Sequence, residues 1–155
     1  MGVTDREVYE EIAPDLMRYA TALVGPDHAP DVVSTVVTRA LHRSGGLAGL
    51  DTPKTYLMKA VLNEATGLKR QRARRQTYPM DTVPEIGVPD VEVGNLDDLV
   101  MELPPQQRAA AYLVFFLEYS PTEAAELMGK RPGTVRRYLH LARRKLEAQI
   151  NEAAR

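Results

Sequence analysis

Between Lys130 and Lys145 the chain carries seven Lys or Arg residues and no acid. Guanidinium and ammonium groups at that density suit phosphate neutralisation. Arg can also grip the edge of a guanine through two parallel hydrogen bonds. The apolar residues of the same stretch, Val135, Leu139, Ala142 and Leu146, recur at intervals of four, three and four and mark one buried helical stripe. At about 100° per residue, Arg137, His140 and Arg144 point away from that stripe, and Arg136 and Arg143 flank it. A merely solvated helix usually mixes signs for mutual support. This one does not, which favours a nucleic-acid-binding face.

The elements that must hold this face are written just upstream. Ser120 can cap a helix that opens with Pro121, and Glu123 completes a capping box. Ala124, Ala125, Leu127 and Met128 give that short helix an apolar side, and Gly129 ends it. Pro132 then opens the Arg-rich helix. Two helices on a tight turn, the second one basic, form the layout of a DNA-reading helix-turn-helix. A second basic block runs from Lys59 to Arg75, with six basic residues against the single acid Glu64. Between the blocks, residues 77–103 hold seven acids and no base.

The formal net charge is only −1, so the positive charge is placed rather than spread. With no cysteine there can be no disulfide, Cys-zinc site or thiol chemistry. No run of about 18 apolar residues could span a membrane. The polar, acidic start MGVTDREVYEEIAP does not read as a signal peptide. A cytoplasmic protein without membrane insertion is expected. Catalysis is not expected. His28, His42 and His140 lie far apart, without metal-ligand partners at helical spacing, and Gly45, Gly46 and Gly49 lack the Gly-Lys-Ser/Thr of a phosphate-binding loop. No cofactor and no metal site are indicated. Asp27, His28 and Asp31 read as capping and solvated residues. Tyr112, Phe115, Phe116 and Tyr119 read as core or partner surface.

The whole chain reads as all-α. Val8, Ile12, Leu16, Tyr19, Ala20 and Leu23 share one face, punctuated by Pro14 and by Gly25-Pro26. Pro30 and Asp31 then open a third helix, which reaches about Arg43. Residues 44–50, Ser-Gly-Gly-Leu-Ala-Gly-Leu, suggest a flexible loop. Pro53 opens a long helix ending near Gln76, with Tyr56, Leu57, Ala60, Val61, Ala65 and Leu68 on its apolar side. Residues 77–95 hold three prolines, two glycines and four acids without helical period, so they read as an acidic flexible linker. Leu96, Leu99, Val100 and Leu103 begin a second helical unit. Pro104-Pro105 opens a further helix carrying Ala109, Leu113, Phe116 and Leu117. The division is thus 1–76, a linker at 77–95, and 96–155.

This order of parts resembles the extracytoplasmic-function (ECF) sigma factors of the sigma-70 family, from about Val8 to Ile150. Glu102-Leu103-Pro104-Pro105-Gln106-Gln107-Arg108 is similar to the opening of sigma region 4. Residues Thr122 to Gly129 resemble the first helix of its helix-turn-helix, and Gly133-Thr134-Val135-Arg136 through Leu146 its recognition helix. The N-terminal residues resemble region 2 more loosely: Leu16 to Leu23 and Ala29 to Ser34 its polymerase-docking helices, and Pro53, Tyr56-Leu57, Asn63 and Lys69-Arg70-Gln71-Arg72 its melting helix. The family often has an acid where Pro30 stands, a glutamine where Ser34 stands and tryptophan where Tyr56 stands.

The resemblance implies a subunit that directs core RNA polymerase to promoter DNA. Asp31, Val32, Ser34, Thr35 and Arg39 would meet the polymerase. Ser44, Gly45, Gly46, Leu47, Tyr56, Lys59, Asn63, Lys69, Arg70 and Arg72 would handle the −10 element, where single strands need a cationic groove and a stacking surface. Arg131, Thr134, Arg136, Arg137 and His140 would read the −35 element, while Arg143, Arg144 and Lys145 would hold phosphates. Many family members are held by an anti-sigma protein, so such a partner is also implied. The alternative is a stand-alone helix-turn-helix transcriptional regulator that never joins polymerase.

Overall fold

The computed structural model describes residues 2–76 and 96–154, with the backbone alone at 68–76, 96–98 and 153. Every regular element among the described residues is helical. The first, α1 (Asp5–Val24), starts because Thr4 Oγ1 accepts the Glu7 N–H at 3.2 Å, with Asp5 and Glu7 favourably placed against the helix dipole. Pro14 lies inside α1 and does not divide it, contrary to the break expected there. The lost backbone hydrogen bond falls where the Pro14 ring is exposed, so water can take its place. Ile12, Leu16, Tyr19, Ala20 and Leu23 hold the helix on its opposite, buried side.

Gly25, at φ +86°, turns the chain into α2 (Ala29–Leu41), whose Val32, Val33, Val36 and Ala40 are buried. After the Gly-rich segment, α3 (Pro53–Gln76) adds Leu57, Met58, Val61, Leu62 and Ala65 to the same core. These three helices form the N-terminal bundle. The segment at 44–50 does not behave as the free loop expected. Leu47 inserts into the bundle core and is fully buried, and backbone bonds from Gly49 N–H to Gly45 O at 2.9 Å and Leu50 N–H to Leu47 O at 3.1 Å fold the chain around it.

The second unit comprises α4 (Leu96–Met101), α5 (Pro105–Ala111), α6 (Pro121–Met128) and α7 (Pro132–Ala153). From Tyr112 to Phe116, α5 widens into a turn of π-helix, where the Leu117 N–H reaches back to Tyr112 O at 3.0 Å. The extra residue stacks Tyr112 on Phe116, with ring centroids 5.2 Å apart, and the chain reverses at Glu118, φ +62°. The expected linker at 77–95 lies outside the described residues.

The two units dock on one another. Ala109, Ala110, Leu113, Ala124, Ala125, Leu127, Met128 and Val135 share one buried cluster with the N-terminal core, while Val100, Leu103, Ala111 and Ala142 form a smaller one. Four alanines at this junction let helices approach closely. Polar groups fasten its edge. Lys54 Nζ donates to Asp15 Oδ2 at 2.7 Å, the Tyr119 hydroxyl donates to the same oxygen at 3.2 Å, and the Lys54 ammonium sits 5.1 Å from the Tyr119 ring centre. The Lys54 hydrogen bond holds the Asp15 carboxyl below its usual range against the opposing effect of burial. Burial pulls the Lys54 ammonium down, but its bonds to Asp15 and Tyr119 outweigh that and leave it raised. Nearby, Arg108 donates to Leu23 O at 2.7 Å, to Leu103 O at 2.8 Å and to Met101 O, tying the ends of α1 and α4 together. Burial alone lowers its pKa.

Candidate nucleic-acid interface

The C-terminal site is built on a rigid corner. Ser120 Oγ accepts the Glu123 N–H at 3.1 Å, and the Glu123 carboxylate accepts the Ser120 N–H at 3.2 Å, so both halves of the expected capping box are present. Gly129 takes the left-handed conformation, φ +68° and ψ +34°, and α7 restarts at Pro132. Val135 and Ala142 are fully buried on the underside of α7. They fix its rotation, so Arg131, Arg136, Arg137, His140, Arg143, Arg144 and Lys145 are exposed and Thr134 is half-buried at the helix start. Among the described residues this is the densest run of outward-facing positive charge. Its electrostatics suit a polyanion, and its first turn is the part of such a helix that reaches base edges.

Arg143 has a neighbour that the helical pattern did not reveal. Its guanidinium carbon lies 5.6 Å from the ring centre of Phe115, which is 39% exposed. Phe115 lies outside the core, while Leu113 is buried and Phe116 half-buried. Stacking on an aromatic face pre-orients the Arg fork.

The N-terminal candidates divide into surface and core. Ser44, Gly45, Tyr56, Lys59 and Asn63 are exposed, whereas Gly46 and Leu47 are buried. Leu47 therefore offers no side-chain surface to a ligand; it anchors its loop instead. Tyr56 is 38% exposed, and the Arg43 guanidinium carbon sits 5.1 Å from its ring centre. Arg43 completes a cation and aromatic pair that spacing alone did not single out. Lys69, Arg70 and Arg72 lie on α3, at positions where only the backbone is described.

Of the polymerase-docking candidates, Asp31, Ser34 and Arg39 are exposed and Thr35 is half-buried. Val32 is a core residue at 2% exposure, because α2 carries four valines too closely spaced for all of them to face outward. Arg39 donates to Glu64 Oε2 at 2.9 Å, which joins α2 to α3. Lys59 stretches toward the other unit: a methyl group placed on Gly129 would meet its Cε at 3.4 Å. The N-terminal basic helix and the helix-turn-helix corner are thus in direct contact.

Among the described residues there is no helix long and apolar enough to cross a membrane and no cluster of side chains able to hold a metal ion.

Comparison with known proteins bears on this geometry. Residues 94–146 match the family described as Sigma-70, region 4. The chain is 29% identical over 155 residues to an RNA polymerase sigma-E factor of Streptomyces avermitilis, covering 96% of this chain and 86% of that protein. It is 27% identical over 165 residues to the ECF RNA polymerase sigma factor SigD of Mycobacterium tuberculosis, covering 94% of this chain and 76% of that one. The fold is shared with the sigma factor RpoE of Bartonella quintana, solved in complex with the anti-sigma factor NepR. The TM-score is 0.71 at 21% identity, over 97% of this chain and 98% of the other.

Proposed function

The chain belongs to the ECF sigma factors of the sigma-70 family, and from that premise we propose that it directs core RNA polymerase to specific promoters. Sigma factors are regulatory DNA-binding proteins rather than enzymes. Residues 96–155 read the −35 element, residues 1–76 dock on polymerase and handle the −10 element, and residues 77–95 connect them. The observation that carries this reading is the outward basic face of α7, held by a buried stripe and set at the glycine corner that follows the capped α6.

In the major groove, Arg131, Arg136, Arg137 and His140 supply the donors and Thr134 a hydroxyl. Each well-formed bidentate Arg–guanine pair discriminates by about 1–3 kcal/mol. Arg143, Arg144 and Lys145 hold phosphates and set the register. On the N-terminal unit, Tyr56 provides the stacking face for an unstacked −10 base, Lys59 and Asn63 line the path of the strand, and Lys69, Arg70 and Arg72 extend its positive charge. Asp31, Ser34, Thr35 and Arg39 make the polymerase contact. An anti-sigma protein would compete for these surfaces.

One consequence is geometric. Elements named −35 and −10 lie about 25 base pairs apart, or about 85 Å along B-DNA at ~3.4 Å per pair. Lys59 and Gly129 touch in the docked arrangement. The units therefore part when both elements are held, and a connection of 19 residues reaches about 60 Å when extended.

The direct test is binding to core RNA polymerase in pull-down and gel filtration, with duplex DNA added separately. Stable association with core polymerase supports the proposal. Tight duplex binding without polymerase, and no polymerase association, would instead identify a stand-alone helix-turn-helix regulator.

A further inference from the structure

We infer that Asp5, in the first turn of α1, is a positioning residue for the loop that receives the −10 strand. Asp5 Oδ1 accepts the Ala48 N–H at 2.8 Å, a contact across 43 residues of sequence. Its other carboxylate oxygen lies so close to Gly46 that a methyl group placed there would meet it at 2.5 Å. Gly46 itself stands at φ +59°, and its N–H bonds to Arg43 O at 3.0 Å. One carboxylate thus bonds the loop at Ala48 and fills the space beside Gly46, while Leu47 between them is fully buried in the bundle core. Backbone, side chain and core together leave the loop one conformation.

That conformation has a functional address. Arg43 opens the loop and is the cation stacked over Tyr56. Fixing Gly46 fixes the Arg43 carbonyl it bonds to, and so holds the Arg43–Tyr56 pair at the mouth of the site. A preformed loop captures a flipped base without first losing its own conformational freedom, which lowers the cost of the captured state. Asp5 also sits favourably at a helix N-terminus. Glu7 shares that helix turn and makes no hydrogen bond to the loop, so it serves as the control for a purely helical role.

The inference rests on the promoter-melting reading of the N-terminal unit. It is tested with holoenzyme assembled from core polymerase and the full chain, on one promoter prepared both as duplex and with the −10 region pre-opened by mismatches. The readout is the duplex-to-pre-opened ratio of run-off transcript, which cancels the active fraction of each preparation. Exposure reduces this hydrogen bond to a charged acceptor to the size of an ordinary neutral one, so Asp5→Ala should lower the ratio about fivefold. Gly46→Ala, which drives a methyl into the carboxylate, should lower it likewise. Asp5→Asn retains an acceptor oxygen and should restore most of the ratio, and Glu7→Gln should leave it unchanged. An unchanged ratio in Asp5→Ala overturns the inference, as does an equal loss in Glu7→Gln. If wild type makes no transcript from either template, the promoter-melting reading fails instead.

Discussion

Removing the carboxylate of Asp15 should loosen the seam between the two units and tighten their joint grip on DNA. Asp15 accepts from Tyr119 across that seam, and from Lys54 within the N-terminal unit. The ion pair with Lys54, at side-chain exposures of 39% and 31%, joins α1 to α3 and stays made when the units part. The Tyr119 hydroxyl on a charged acceptor contributes about 1 kcal/mol. Asp15→Ala therefore shifts the docked-to-parted equilibrium by about 1 kcal/mol, about fivefold. When only a small fraction is parted, apparent affinity for a ligand needing both units rises in proportion to that fraction. The assay is fluorescence anisotropy with the free protein and two probes. One carries a duplex −35 element joined to a single-stranded −10 element; the other carries the −35 duplex alone. The first should bind about fivefold more tightly in Asp15→Ala, and the second should be unchanged. Equal effects on both probes, or none on the first, would refute the seam as a restraint on DNA binding.

Four further outcomes follow from the same structure. The Asp15 carboxyl is lowered on folding, so its stabilisation is fully present above the unfolded value of about 4 and is lost as pH falls through the folded one. Lys54 is raised, so its share is present below about 10.4 and is lost only above that. Denaturant melts of wild type and Asp15→Ala should thus differ by a constant amount between about pH 5 and 9, begin to approach below about pH 4, and draw together as pH falls through the lowered folded value. The Tyr19 hydroxyl is fully buried without a hydrogen-bond partner, and Tyr19→Phe should raise stability by about 1 kcal/mol in urea titration. Gly129→Ala must hold φ +68° with a methyl at 3.4 Å from Lys59 Cε, and should cost about 1–2 kcal/mol by thermal melting. Arg137→Ala should cost about 1–3 kcal/mol on duplexes bearing the −35 sequence and much less on scrambled duplex, measured at one fixed salt concentration.

What the sequence revealed of this molecule was local. The capping box at Ser120, the glycine corner at 129 and the rotation of α7 each follow from residues within one or two turns of each other, and all three are present. Long-range features were not legible. The seam is made of Ala109, Ala110, Ala124 and Ala125, which read equally well as packing within a unit. The bond from Asp5 to Ala48 joins residues whose spacing carries no periodic signal. Pro14 suggested a break because propensity speaks before burial, and burial of five α1 side chains prevailed. Val32 and Leu47 were placed on a surface by position in a motif, whereas their apolar character sends them inward. The pairing of Phe115 with Arg143 joins two different helical segments, and no local period announces it.

The most direct test is run-off transcription with purified core polymerase on a promoter template with an intact or a scrambled −35 element, comparing wild type with Arg137→Ala. Wild type should support initiation that depends on the intact element, and Arg137→Ala should lose most of that dependence while still binding core polymerase. Initiation by Arg137→Ala that remains as −35-dependent as wild type would contradict the recognition face. No initiation by wild type, on a template that another sigma factor can use with the same core enzyme, would contradict the assignment of promoter-directing function itself.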